Sequence, residues 1–436
     1  MIESRTMTLE ALVGLGLRVA GACLQFGFTV LVARFFGASV FGLYSLAFSL
    51  CIIASAIARW GMGQYLLRQV SVDIHCGDWL AVRRTMTETL IIVGLMSSVF
   101  GLLFWLVSPW LSDVVFSKPM LMPYLMGFSI AILPMTYVQV LAEGFRALGE
   151  SRVYVAFQVV ILPLLSLIFV SLISMADWKD GVLVVWSYVL ACYVGVMVAI
   201  WFWHRRAGFD FNLEGFSLIL DRLKKATPLA WVSIMTIAMS FIETLLLGVF
   251  HSPEDVAMYA AALRLALLVN FVVLAVNGLL APPLASLCRD GKTDALESLV
   301  NRAILLTGLL CSPILLGLFL FPDTLLGLFG ESFIAASSTL MILATGQIMN
   351  VISGPVVLLL QMSGHEIPLR NRVMQSAILA LVSGLALIPS FGFVGAAMSA
   401  TIGMASMNLL CLREVWVLLG VCPWPAKPFF RLGGAS

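Results

Sequence analysis

Four arginines and a glutamate, Arg18, Arg34, Arg59, Arg264 and Glu243, lie inside stretches that are otherwise almost wholly apolar. A charge within a membrane span is costly and needs a partner or a task. Arg18 is about nine residues into the first apolar run and Arg59 about nine from the end of the second, so both lie roughly 13 Å deep at the same level. Two guanidiniums at one level repel unless an anion lies between them, and their forks match phosphate oxygens. The competing reading is that both snorkel toward headgroups or bond to helix carbonyls. Glu243 and Arg264 fall at similar depths in the seventh and eighth runs, which suggests an ion pair. Such a pair either locks two helices or opens when an anion or a coupling cation competes. Arg34 stands at the outer end of the first run, as an outer-surface contact or an aid to anion release.

Other chemistries find little support. None of the four histidines (75, 204, 251, 365) has a partner at metal-ligand spacing, so no metal site is expected, and no Ser, His and Asp set can be proposed. The eight cysteines show no CxxC and mostly sit in apolar runs, as small buried apolar residues. Glu143 and Arg146, spaced i, i+3, read as a local helix pair without a transport role. Glu88 reads as solvated. Pro134, Pro163, Pro313 and Pro355 interrupt spans, as packed bends or hinges.

The elements that must carry these charges follow from composition. The 436 residues are 61% hydrophobic and 11% charged, with a mean hydropathy of +1.04. That is an integral membrane protein, and runs of about 20 apolar residues without strand alternation select helices. Twelve spans are predicted, over 10–34, 40–68, 85–110, 121–146, 153–175, 181–203, 227–250, 256–285, 302–322, 332–362, 371–390 and 393–419. Of the 25 basic residues, nineteen then fall in loops and ends on one side and two, Lys118 and Lys179, on the other. This skew predicts both termini in the cytoplasm. The fold class is all-α membrane protein, with a six-helix bundle over 1–205, a cytoplasmic amphipathic connection over 206–226, a second six-helix bundle over 227–419 and a cytoplasmic tail over 420–436.

A shift of 215 residues, without a gap, lays "TVLVARFFGASVFGLYSLAFSL" (Thr29 to Leu50) over "TLLLGVFHSPEDVAMYAAALRL" (Thr244 to Leu265) and brings Gly149 onto Gly364. The halves each contain an even number of spans, so they should be related by a pseudo-two-fold axis along the membrane normal, with a shared cavity. Gly37 and Gly42 allow a tight reversal between the first two spans. Tyr44 and Tyr259 are expected to anchor at the outer interface.

"LVARFFGASVFGLYSLAFSL", "RWGMGQYLLR", "GFRALGESRV", "LLLGVFHSPEDVAMYAAALRL" and "PSFGFVGAAMSA" resemble the recurring segments of bacterial polysaccharide-export flippases. These are the Wzx-type O-antigen branch of the superfamily that also holds MATE exporters and the peptidoglycan-precursor flippase. The resemblance runs from the first span to the last. It implies two bundles working by alternating access in the bacterial inner membrane, and flipping of a polyprenyl-diphosphate-linked oligosaccharide for surface polysaccharide synthesis. On that footing Arg18, Arg59, Arg264 and Arg34 become candidate contacts for the lipid diphosphate, Glu243 a gating or coupling residue, and Trp60 a sugar contact. The expected partners are the lipid-linked oligosaccharide, the bilayer and polysaccharide-assembly proteins. No cofactor, nucleic acid or catalytic residue is expected. A cation-coupled multidrug exporter of the same fold is the alternative, and a membrane enzyme acting on lipid-linked sugars a more distant one.

Overall fold

The computed structural model of the protein describes residues 2–210, 216–290 and 292–421, and every regular element among them is helical. Residues 211–215 of the predicted connection, and 422–436 of the predicted tail with Cys422, lie outside the described residues. The chain forms two compact units, with the break after Val249.

The first unit contains α1 (Ile2–Phe36), α2 (Ala38–Arg59), α3 (Met62–His75), α4 (Trp79–Trp110), α5 (Met122–Ala147), α6 (Ser151–Val155), α7 (Leu162–Met175), α8 (Val182–Arg206), α9 (Phe216–Ser240) and α10 (Ile242–Phe250), the last residue of α10 falling past the break. Gly37, at φ 89°, turns the chain between α1 and α2, as its lack of Cβ permits. The central helix is α5: 72% of its apolar window is buried inside the protein, against 22% for α4 and for the α6–α7 span. Small residues let it sit there, since a Cβ on Gly144 would come within 2.3 Å of Met86 and one on Gly127 within 2.7 Å of Val185. Small residues at helix contacts do the same work throughout membrane interiors, where apolar side chains gain nothing by leaving lipid. The opposite condition holds on α4, whose Leu95, Val99, Leu102 and Leu106 are exposed and form a lipid-facing surface.

The second unit comprises α11 (Pro253–Ala266), α12 (Leu268–Asp290), α13 (Thr293–Leu320), α14 (Pro322–Gly327), α15 (Ser337–Ser353), α16 (Val356–Met362) and α17 (Glu366–Leu419). Across the described chain, ten helices are long and apolar enough to cross a membrane. The pair α9 and α10, bent by 49° at Phe241, adds an eleventh span if counted as one. α17 runs for 54 residues, but Gly392 inside it adopts φ 54° and ψ −133° and separates two helical stretches.

The 215-residue repeat reappears in the elements. α2 begins at Ala38 and α11 at Pro253; α5 begins at Met122 and α15 at Ser337; α5 ends at Ala147 and α16 at Met362. Gly149 and Gly364 close these last two with φ 79° and 77°. Their hydrogen bonds are also the same. Gly149 N–H donates to Arg146 and Glu150 N–H to Phe145, while Gly364 N–H donates to Gln361 and His365 N–H to Leu360.

Several sequence expectations are corrected. Tyr44 and Tyr259 are core residues, 4% and 2% exposed, rather than interface anchors. Tyr44 packs among Phe28, Phe48 and Phe128 with ring centroids 5.5–5.7 Å apart. Glu88 is not solvated: it is buried and ion-paired with Arg222 of α9. Around it, Arg83 donates to the Ala207 carbonyl, the Asp210 N–H donates to Thr87 and Arg84 lies 3.7 Å from Asp210. The start of the connection is thus clamped onto α4. From Phe216 onward the predicted connection is already the first part of α9, with no separate surface helix between it and the span.

The Gly392 kink has a specific fastening. Nε2 of His251 lies 2.8 Å from the carbonyl oxygen of Ile388, four residues before the kink, and donates to it, while Nδ1 is 3.7 Å from Asp255. Replacing His251 by leucine removes this bond. We expect His251→Leu to lower stability by about 0.5–1.5 kcal/mol, read as a drop in the thermal unfolding temperature of the detergent-solubilised protein, with Asn at the same position recovering part of it.

Candidate functional site

α2 stops at Arg59 because Trp60 and Gly61 both adopt left-handed backbone, φ 42° and 70°. A non-glycine residue pays for that conformation in steric strain of order 1–2 kcal/mol, and here the surroundings hold it. The Trp60 indole N–H donates to Oγ1 of Thr227 at 3.1 Å, and Gln64 donates to Ser233 at 3.3 Å, so both sides of the break are tied to α9. Gly61 is the point of closest approach, where a Cβ would lie 2.7 Å from the Ala226 carbonyl oxygen and from the Ala230 nitrogen.

The predicted second span is therefore a broken helix. Arg59 is not nine residues inside it but is the last residue of α2, where the carbonyl end of the helix dipole favours a cation. The N-terminus of α3 follows two residues later with no side-chain cap, and the first N–H groups of a helix have no partner within it. A cleft with a cavity volume of about 190 Å³ opens at the break, within the first unit. It is lined by Arg59, Gly61, Gly63 and Gln64 from the break, with Gln139 and Glu143 of α5 and Ser233 of α9.

Arg59 Nε donates to the Ser55 carbonyl at 3.3 Å, and no other hydrogen bond or ion pair joins it to the described residues. Arg59 lines the cleft. Glu143 interacts electrostatically with Arg59 and Arg146, and its carboxylate lies 3.5 Å from Nη1 of Arg146. Arg146 in turn sits over the ring of Tyr154, 5.3 Å from the centroid. Tyr154 bonds to Gln158 and lies within electrostatic range of Arg18.

Arg18 owes its place to a second irregularity. Residues Ala156–Ile161 form a π-helical turn ahead of Pro163. Proline supplies no N–H to the carbonyl four residues before it, that of Val159. Gly21, three residues after Arg18, packs directly on this carbonyl, where a Cβ would come within 2.3 Å of the oxygen. Three arginines and one glutamate thus gather with amides and a phenol at the arginine-rich end of the first unit, with an excess of positive charge.

The other predicted residues lie elsewhere. Arg34 is exposed in the last turn of α1. Glu243 is 8% exposed in the first turn of α10, beside the bend at Phe241. Arg264 is half-buried in the last turn of α11, in the second unit. Glu143, Arg146, Gln64, Gln139, Tyr154 and Gln158 join the site without having been predicted for it. Their signal was present in the repeat: at the 215-residue shift Arg18 meets Ser233, Arg59 Leu274, Gln64 Leu279, Gln139 Gly354, Glu143 Leu358, Tyr154 Leu369 and Gln158 Val373. Most of the polar set lies in the first copy, although Arg146 meets Gln361 and the cleft takes Ser233 from the second. The break belongs to the first copy, for α12 runs through Ala275 and Val276 unbroken.

Residues 10–287 match the family of polysaccharide biosynthesis proteins. A probable low-salt glycan biosynthesis flippase, Agl15 of Haloferax volcanii, is 23% identical over 398 residues, covering 90% of this chain and 80% of that protein. Among solved structures, an inward-facing multidrug resistance MATE transporter of the MOP superfamily superposes with a TM-score of 0.74 at 14% identity, over 94% of this chain and 98% of the other. The lipid II flippase MurJ, in its inward closed conformation, gives 0.70 at 13% identity, over 94% and 87%. The fold is that of these transporters.

Two neighbouring glycines test the cleft geometry. Gly61→Ala combines a forbidden backbone with a collision against α9 and is expected to cost at least about 2 kcal/mol. Gly63→Ala meets only Cγ of Glu143, at 3.4 Å, and should change stability by no more than about 1 kcal/mol. Thermal unfolding of the two purified variants checks the contrast.

Proposed function

Because the chain belongs to the polysaccharide biosynthesis protein family, we propose that it is a flippase carrying a polyprenyl-diphosphate-linked oligosaccharide from the cytoplasmic to the outer leaflet of a bacterial inner membrane. The observation that carries this reading is Arg59, which lines a cleft at a broken helix and has no carboxylate bonded to its guanidinium among the described residues. A discontinuous membrane helix offers an anion both a fixed N-terminal partial charge and backbone N–H donors. An adjacent arginine fork adds charge-assisted bonds that fit two phosphate oxygens at once.

In this reading Arg59 and the first turn of α3 bind the diphosphate, and Arg18 contributes its charge from α1. The amides of Gln64 and Gln139 and the Ser233 hydroxyl are suited to bridging oxygens of the diphosphate or the first sugar. Trp60 would meet a sugar through its ring face, since its N–H is engaged by Thr227. Arg34 and Arg264 act as further anion contacts during transfer by alternating access. Glu243, a buried carboxylate at a bend, serves as the gating or coupling group, because burial makes its charge state sensitive to a cation or proton nearby. The spans number twelve when the bent α9–α10 pair counts as one and α17 as two. At 1.5 Å per residue α17 would extend about 80 Å, more than twice the hydrocarbon core. The basic-residue skew orients both termini to the cytoplasm.

The test is reconstitution into vesicles loaded with a polyprenyl-diphosphate-linked oligosaccharide on one leaflet. A soluble sugar-modifying enzyme outside reports the headgroups that have crossed. We expect Arg59→Gln to slow crossing by about tenfold or more, as loss of a charge-assisted bidentate contact does, and Arg18→Gln to slow it less. Wild-type rates in both variants at normal protein levels would overturn the assignment.

A further inference from the structure

The cleft contains its own anion. Glu143 lines it from α5 together with Gln139, one turn earlier on the same face. Its carboxylate is held by Arg146 at 3.5 Å, while its Cγ lies against the N-terminus of α3, close enough that a Cβ on Gly63 would stand 3.4 Å away. It interacts electrostatically with Arg59, yet no carboxylate among the described residues bonds to that guanidinium. So a negative charge is stationed beside the two groups best suited to take a phosphate, tethered to a third cation that is half exposed. Glu143 already reaches Arg146 and lines the same cleft as Arg59, so exchange between the two arginines needs only a move between staggered side-chain wells.

We propose that Glu143 is a resident counter-anion, which shares Arg59 with the substrate's diphosphate, withdrawing toward Arg146 as the diphosphate binds and displacing it when the diphosphate leaves. The inference rests on the reading of the cleft as a diphosphate site and adds a release mechanism to it. A carrier that holds a multiply charged anion between arginines in a low-dielectric surround binds it too firmly to turn over, since such interactions strengthen as water is excluded. A competing carboxylate built into the wall lowers that affinity and keeps the empty cleft from filling with stray anions. The second copy of the repeat carries Leu358 at this position and no arginine at Leu274, so competitor and cation occur together.

The consequence is a pair of opposite effects. Inorganic pyrophosphate is titrated calorimetrically into the full-length protein in detergent, as wild type, Glu143→Gln, Glu143→Ala and Arg59→Gln, and flipping is measured in vesicles for the same four. Glu143→Gln should tighten pyrophosphate binding by about tenfold, the removal of one like charge from the site, while slowing flipping. General damage to the fold would lower both. Glu143→Ala, which removes the same charge and widens the cleft, should act in the same direction and stands in if the glutamine variant does not fold. If both Glu143 variants bind pyrophosphate as the wild type does or more weakly while Arg59→Gln abolishes binding, the counter-anion role is overturned and the cleft reading stands. If Arg59→Gln binds like the wild type, both fall.

Discussion

Backbone groups released within hydrocarbon must find a new partner, because neither lipid nor water is there to supply one. Each irregularity in this protein is an answer to that constraint. At Trp60 and Gly61 the helix stops, and α9 supplies side-chain bonds that hold the break in place. At Pro163 the ladder passes through a π turn, and Gly21 packs on the Val159 carbonyl where a Cβ would not fit. At Gly392 the ring of His251 donates to the Ile388 carbonyl. The broken second span differs from the other two in one respect: a cleft lined by Gly61 and Gly63 opens at the break.

That difference organises the charges. A guanidinium at the carbonyl end of α2 is stabilised by the helix it terminates, so Arg59 needs no carboxylate to be held where it is. An arginine nine residues inside an unbroken span would have demanded one, or a long snorkelling path. The same economy explains why a single glutamate suffices among three arginines, and why that glutamate is bonded to the more exposed Arg146 rather than to Arg59. The buried Glu88 and Arg222 pair is of another kind. It holds α9 against α4.

The arginines were legible because a charge in an apolar run stands out against its cost, and the repeat was legible because turns demand glycine at fixed intervals. Gly149 and Gly364 repeat not only the residue but the same two hydrogen bonds. The break after Arg59 was not visible. "AIARWGMGQYLL" keeps an apolar pattern through it, and a tryptophan in left-handed backbone has no signature of its own. Glu143 was hidden for a different reason: an i, i+3 arginine already accounts for it locally, and only tertiary packing brings it beside the α3 N-terminus. Tyr44 and Tyr259 misled because the amphipathic ring that suits an interface also suits a core lined with other rings.

The repeat also separates what the architecture requires from what the cargo requires. The turns at Gly149 and Gly364 and the starts of α2 and α11 and of α5 and α15 match between copies, whereas most of the polar inventory and the interruption after Arg59 occur in the first copy. A duplicated scaffold of this sort leaves one half free to keep the frame while the other is retooled by a handful of substitutions on α2, α3 and α5. The lining of the cleft can then change on those helices while the matched turns and helix starts stay as they are.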